Sequence, residues 1–180
     1  MTDSNATKQA MADALKELMH TLPFEKISVS HICEKCNMNR KSFYYHFKDK
    51  YDLVNWIFDI ECISVLTEKD ATDRWTLFEI LIHYFYENRK FYQKIIKVKG
   101  QNSFSEHFRE FLYPIMRKRL DDIVEPSVKH DFMISFLSDA CICAIERWLS
   151  DKECMSPDRF MHIIKSLTES IALSLCSEIN

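Results

Sequence analysis

Apolar positions Met11, Leu15, Leu18, Met19 and Leu22 recur three and four apart between residues 6 and 22, the period of a helix lying on a core. Pro23 closes that run. Ser28 and Ser30 can cap a short second helix ending near Cys36, and Asn37-Met38 follows as a turn, asparagine being the residue besides glycine that best tolerates left-handed backbone. Asn39 can cap a third helix over Arg40–Phe47, Lys48-Asp49-Lys50 is a polar break, and a fourth helix runs from about Tyr51 past Ile63. Residues Ile32, Cys33, Cys36, Met38, Phe43 and Phe47 would face inward. Residues 67–74 are polar and read as a loop, and helical periods resume over about 74–89, 90–98, 103–122, 128–149 and 157–178. Gly100 is placed to stop the run ending at Lys99, and Ser156-Pro157 reads as a cap followed by proline at the first helical position.

The last two helices carry apolar residues on more than one face, and a helix of that kind has to bury both. In a chain of 180 residues a second subunit is the cover to expect. The pattern therefore predicts a homodimer joined by a four-helix bundle, with Phe136, Ala140, Ala144, Phe160, Ile164, Leu167, Ile171 and Leu175 as its interface.

Composition sharpens this all-α reading. The chain has one glycine and four prolines, too few for hairpins or a glycine-rich phosphate loop. Seven cysteines are an odd number for disulfides; the N-terminus has neither the basic start nor the apolar stretch of a secretory signal, and no run approaches the ~18 apolar residues of a membrane span. A cytoplasmic protein with reduced thiols is the expectation. The net charge of −3 speaks against a basic coat along the whole chain. Residues 39–50, however, set Arg40, Lys41, Lys48 and Lys50 against Asp49 alone, a net +3, while residues 57–180 carry 20 acidic and 16 basic side chains. A basic head on an acidic body suits local contact with DNA.

Other chemistry is poorly served. Cys33-x-x-Cys36 has metal or redox spacing but no second pair at zinc-finger distance, so both thiols read as core, and Cys141-x-Cys143 points to two helix faces. His20, His31, His83, His107, His130 and His162 include no i, i+4 pair. With no nucleophile elbow and no paired acids, neither catalysis, a metal nor a cofactor is expected.

Three short helices in fifty residues, with a tight turn between the second and third, form a helix-turn-helix. The segment SVSHICEKCNMNRKSFYYHFKDKYDL (28–53) resembles the DNA-binding domain of the TetR family of bacterial regulators, most specifically in FYYHFKDK. The stretch NRKSFYYHFKDKYDLVNWIF further resembles a branch of that family often labelled dihydroxyacetone-kinase regulators. Some members of such branches activate transcription instead of repressing it. The resemblance implies a DNA-binding domain over 1–50, an effector and dimerisation domain over 51–180, and double-stranded DNA as partner. Repression is the default sign and activation the variant.

The DNA-facing set is then Ser28, Asn39, Arg40, Lys41, Ser42, Tyr44, Tyr45, His46, Lys48 and Lys50. Arg40, in the first turn of the recognition helix, suits guanine O6 and N7. Lys50 resembles the family's phosphate-binding lysine. Two positions depart from the family pattern: Asn37 stands where a turn glycine is usual, and Lys41 where a small residue is usual. The resemblance also implies a small-molecule effector or protein partner acting on the second half, with Phe78, Ile82, His83, Phe85, Phe108, Phe111 and Trp148 as candidate contacts. An aromatic stripe at helical spacing is first of all core. The rival readings are a TetR-like co-regulator working only through a partner protein, and a helical small-molecule carrier.

Overall fold

The computed structural model describes residues 2–67, 75–98, 103–121 and 128–177. The loop expected over 67–74 and the stop at Gly100 lie almost wholly outside those residues, as does the side chain of Leu175. Among the described residues every regular element is helical: α1 (Thr2–Thr21), α2 (Val29–Lys35), α3 (Arg40–His46), α4 (Lys50–Thr67), α5 (Thr76–Glu87), α6 (Arg89–Ile95), α7 (Phe104–Asp121), α8 (Val128–Ser150) and α9 (Pro157–Ser177). A single 3-10 turn, Phe24–Lys26, joins α1 to α2. No helix among the described residues is long and apolar enough to cross a membrane.

The chain divides into two compact units, Met1–Glu68 with Lys90–Ser105, and Lys69–Arg89 with Glu106–Asn180. In the first, α1 buries Met11, Ala12, Ala14, Leu15 and Met19, the face its period marks. It ends before Leu22-Pro23, where the proline ring disfavours helical backbone at the residue ahead of it. The 3-10 turn, which no periodicity announced, drops Phe24 and Ile27 into the core, each 1% exposed. Helix α4 contributes Leu53, Val54, Ile57, Phe58 and Cys62. Phe58 meets Phe104 edge-on at 5.4 Å and Tyr92 at 6.5 Å, an arrangement the ring quadrupoles favour. Lys94 donates to the Met19 carbonyl at the end of α1, and Lys16 pairs with Glu61 of α4.

In the second unit α5 and α9 pack together. Phe85 meets Phe108 at 5.1 Å, and Trp148 lies flat between Phe160 at 4.6 Å and Tyr86 at 6.1 Å while its indole N–H donates to the Met155 carbonyl. Pro157 is the first residue of α9, as its preceding serine signals, and the Phe160 amide bonds the Ser156 carbonyl at 3.0 Å. Pro114 sits on the exposed side of α7; lacking an N–H, it leaves the Glu110 carbonyl without a ladder partner. Helix α8 buries Ile134, Leu137, Ser138, Cys141, Ile142, Ile145, Trp148 and Leu149 on one side. Ser138 is wholly buried, and its hydroxyl has no hydrogen-bond partner among the described residues. An unsatisfied buried hydroxyl costs about 1–3 kcal/mol. Ser138→Ala should therefore raise the urea midpoint of the protein, and an unchanged or lower midpoint would show that the hydroxyl is satisfied in solution.

Candidate nucleic-acid interface

The turn between α2 and α3 closes in a Schellman arrangement. The Met38 amide donates to the Cys33 carbonyl at 2.8 Å and the Asn37 amide to the Glu34 carbonyl at 3.3 Å, which satisfies carbonyls that the helix end leaves open. That closure needs one left-handed residue, and Asn37 supplies it at φ 54°. The asparagine thus stands in for the usual glycine at the cost of a modest steric penalty.

Both helices of the motif are capped by residues singled out as DNA-facing. Ser28 accepts from the His31 amide at 3.2 Å, and the Ser28 amide donates to His31 Nδ1 at 3.3 Å, a capping box. Asn39 Oδ1 accepts from the Ser42 amide at 2.8 Å. Each cap is worth about 1 kcal/mol, so Ser28 and Asn39 shape the head whatever else they touch.

Helix α3 is split lengthwise. Phe43 and Phe47 are buried at 0% and 3% exposure with their rings 5.7 Å apart. On the other side Arg40, Lys41, Tyr44 and Tyr45 are exposed, Tyr45 at 84%. Ser42 and His46 are half-buried, and Lys48 beyond the helix is exposed. Arg40 donates one N–H to the Tyr44 hydroxyl at 3.3 Å and stacks over its ring. That hydrogen bond raises the guanidinium above its ordinary value. One donor of five is used, so the fork keeps a pair for a base edge. Ile32 and Cys33 of α2 are buried beneath, while Cys36 and Met38 are half-buried.

Lys50 differs from the other cations. Its ammonium donates to the carbonyls of Phe24, Glu25 and Ile27 at 2.8, 3.2 and 2.8 Å. Burial pulls its pKa below the ordinary amine value.

The thiols are quiet. Burial raises Cys33 and Cys36, with the Cys36 Sγ directed at the Cys33 carbonyl. Among the described residues no group of three metal-ligating side chains assembles. Burial pushes Cys62 up to about 12 and Cys141 to about 11, from an ordinary 9.0. The thiolate is the reactive form, so iodoacetamide at mildly alkaline pH should label exposed Cys143 first and spare Cys62 and Cys141 until the chain is unfolded. Equal labelling rates in the native protein would refute that burial. Because the folded values are raised, whatever stability these protonated thiols contribute is complete below pH 9 and lost as pH climbs through the range of 11 to 12.

Among the candidate effector contacts, Phe78, Ile82, Phe85, Phe108 and Trp148 are buried, Phe111 is half-buried, and His83 is exposed and paired with Asp158 at 3.2 Å. The candidate interface residues divide. Phe160 and Ile164 are buried within the chain, Phe160 against Trp148, and Ala144 is half-buried. Phe136, Ala140, Leu167 and Ile171 are exposed. Phe132, at 73% exposure and stacked on Phe136, and Ile163 join them, and the interface set drawn from the sequence omits both. Their signal was the four-residue spacing from Phe136 and Leu167.

A capped helix-turn-helix with a cationic, aromatic outer face is the reading head of a DNA-binding regulator. Residues 12–57 match the family profile described as bacterial regulatory proteins, tetR family, and residues 73–170 the one described as transcriptional regulator C-terminal region. The chain belongs to the TetR family of DNA-binding transcriptional regulators. It is 28% identical over 145 residues to the HTH-type dhaKLM operon transcriptional activator DhaS of Lactococcus lactis subsp. lactis (strain IL1403), spanning 79% of this chain and 74% of that protein. It is 21% identical over 169 residues to the transposon Tn10 TetC protein of Escherichia coli, spanning 88% and 78% respectively. In fold it is similar to the structure of the dihydroxyacetone kinase operon activator DhaS, with TM-score 0.65, 21% identity and coverage of 92% and 96%. It is also similar to a TetR transcriptional regulator from Streptococcus agalactiae 2603V, with TM-score 0.73, 19% identity and coverage of 92% and 95%.

Proposed function

We propose that this regulator is a homodimer that reads a two-fold operator through Arg40 and Lys41 at the start of α3, with Tyr44, Tyr45, His46 and Lys48 lying along the flanking backbone. The head, residues 1–50, is the DNA-binding part, and the remainder serves dimerisation and response to a small-molecule or protein effector. The sign proposed is activation, on the strength of a relative named as an operon activator. The observation that carries the reading is the lengthwise split of α3, whose cations and tyrosines face out while Phe43 and Phe47 hold the helix to the core.

Selecting bound duplexes from a random pool with purified protein should return a two-fold motif. A guanine within each half-site is expected opposite Arg40. A bidentate arginine–guanine pair discriminates by about 1–3 kcal/mol and the dimer makes two, so Arg40→Ala should bind the selected duplex roughly thirty- to ten-thousandfold more weakly and a scrambled one unchanged. Equal discrimination by Arg40→Ala and the parent would refute the assignment. A reporter downstream of the selected motif should fall silent when the gene is deleted. A rise would establish repression instead.

A further inference from the structure

We propose that Lys8 of α1 is a further DNA-binding residue, whose ammonium neutralises a backbone phosphate beside the end of α3, where the rings of Phe47 and Trp56 present it. The proposal rests on the DNA-reading role of α3 and adds to it a contact from outside the α2–α3 motif.

Lys8 stands three, four and seven residues ahead of Met11, Ala12 and Leu15, so it falls on the face by which α1 enters the core. It is half-buried there. Its Nζ lies 5.8 Å from the centre of the Phe47 ring and 5.8 Å from that of Trp56, and those two rings meet edge-on at 5.8 Å. The negative ring faces hold a cation while leaving its three N–H donors unspent.

No acid meets this charge. Among the described residues Lys8 makes no ion pair and no hydrogen bond, whereas Lys16 and Lys35 of the same unit pair with Glu61 and Glu17. Asp52, one helical turn ahead of Trp56, accepts from the Lys48 amide. A methionine of similar length would cover the two rings without giving up the hydration of an ammonium. Packing alone therefore does not call for a lysine at this position.

Its place in the head is the second observation. Phe47 is the C-cap of α3, and Lys48 follows it, exposed. The other end of α1 lies against α6, where Lys94 donates to the Met19 carbonyl. From Lys8 to Met19 is about 16 Å along the helix. Lys8 thus stands at the recognition-helix end of its unit, and it continues the cations Arg40, Lys41 and Lys48 past the C-terminal end of α3.

Affinity for the selected duplex and for a scrambled one, measured across a potassium chloride series for the parent, Lys8→Met, Lys8→Arg and Lys90→Met, tests this. Each phosphate that is no longer neutralised flattens the slope of log affinity against log salt by about 0.9. Lys8→Met should show that flattening once per protomer and weaken both duplexes alike. Lys8→Arg should keep the parent slope, because a guanidinium serves both phosphate and ring faces. Lys90→Met removes the same charge from an exposed position on α6 and should also keep the parent slope. A parental slope in Lys8→Met, a loss confined to the selected duplex, or equal flattening in Lys90→Met would overturn the proposal. The first two would leave Lys8 a brace for α3, and the third would leave only an effect of net charge. Should Lys8→Met fail to fold, Lys8→Gln decides by the same slope. The parent's own preference for the selected duplex tests the DNA reading separately.

Discussion

Phe43→Ala is expected to cost the first unit about 3–5 kcal/mol, the usual loss when a buried aromatic ring is truncated and its cavity only partly collapses. Phe43 is wholly buried, meets the Phe47 ring at 5.7 Å and the edge of Tyr44 at 5.6 Å, and is the residue of α3 most deeply set in the core. Total stabilities of single domains run to about 5–15 kcal/mol, so the loss is a large share. Urea unfolding followed by circular dichroism should show the midpoint fall sharply, with specific DNA binding lost at denaturant concentrations the parent tolerates. Tyr45→Ala, on the outer face of the same helix and 84% exposed, serves as the control: stability near the parent's, with the effect confined to DNA. A Phe43→Ala protein with the parent's midpoint would mean that α3 is held by something other than its inward rings.

Phe136→Asp should separate the proposed dimer. Phe136 is 58% exposed in the single chain and stacked on Phe132, which is 73% exposed, so the change opens little cavity within the protomer. In a two-fold interface the substitution enters twice. Burying a phenylalanine is worth about 1.5–3 kcal/mol, and a buried carboxylate without a partner adds a penalty. Two copies amount to at least ~3–6 kcal/mol, a dissociation constant raised by roughly a hundred- to ten-thousandfold. Sedimentation at micromolar concentration should find the parent dimeric and the variant monomeric with unchanged helix content. The monomer should also lose affinity for a two-fold operator, because one head neutralises half the phosphates. A parent that sediments as a monomer, or a variant that stays dimeric at the parent's dissociation constant, would remove α8 and its exposed phenylalanines from the interface.

The exposed faces of α8 and α9 show where reading a period reaches its limit. Apolar residues on two sides of each helix are plain in the letters. Which side a protein uses for itself is not, because Phe160, Ile164, Leu167 and Ile171 fall on one drawn stripe while the folded chain buries the first two and exposes the last two. Spacing alone weights each apolar residue equally; burial depends on which neighbouring helix arrives, here α5 against α9.

What the amino-acid order determined by itself is local. The caps at Ser28 and Asn39, the left-handed turn at Asn37 and, of the inward set, Ile32, Cys33, Phe43 and Phe47 follow from side-chain chemistry acting within about five residues and are present in the structure, whereas Cys36 and Met38 of that set are only half-buried. The resemblance carried by FYYHFKDK belongs to the same short range. Tertiary structure alone decided the partners that lie far apart in sequence. Lys50 reads as one more cation in a basic run until the chain folds and brings three carbonyls, more than twenty residues distant, around its ammonium. A pattern of letters records charge and period, whereas the use a charge is put to depends on which distant backbone groups need a donor.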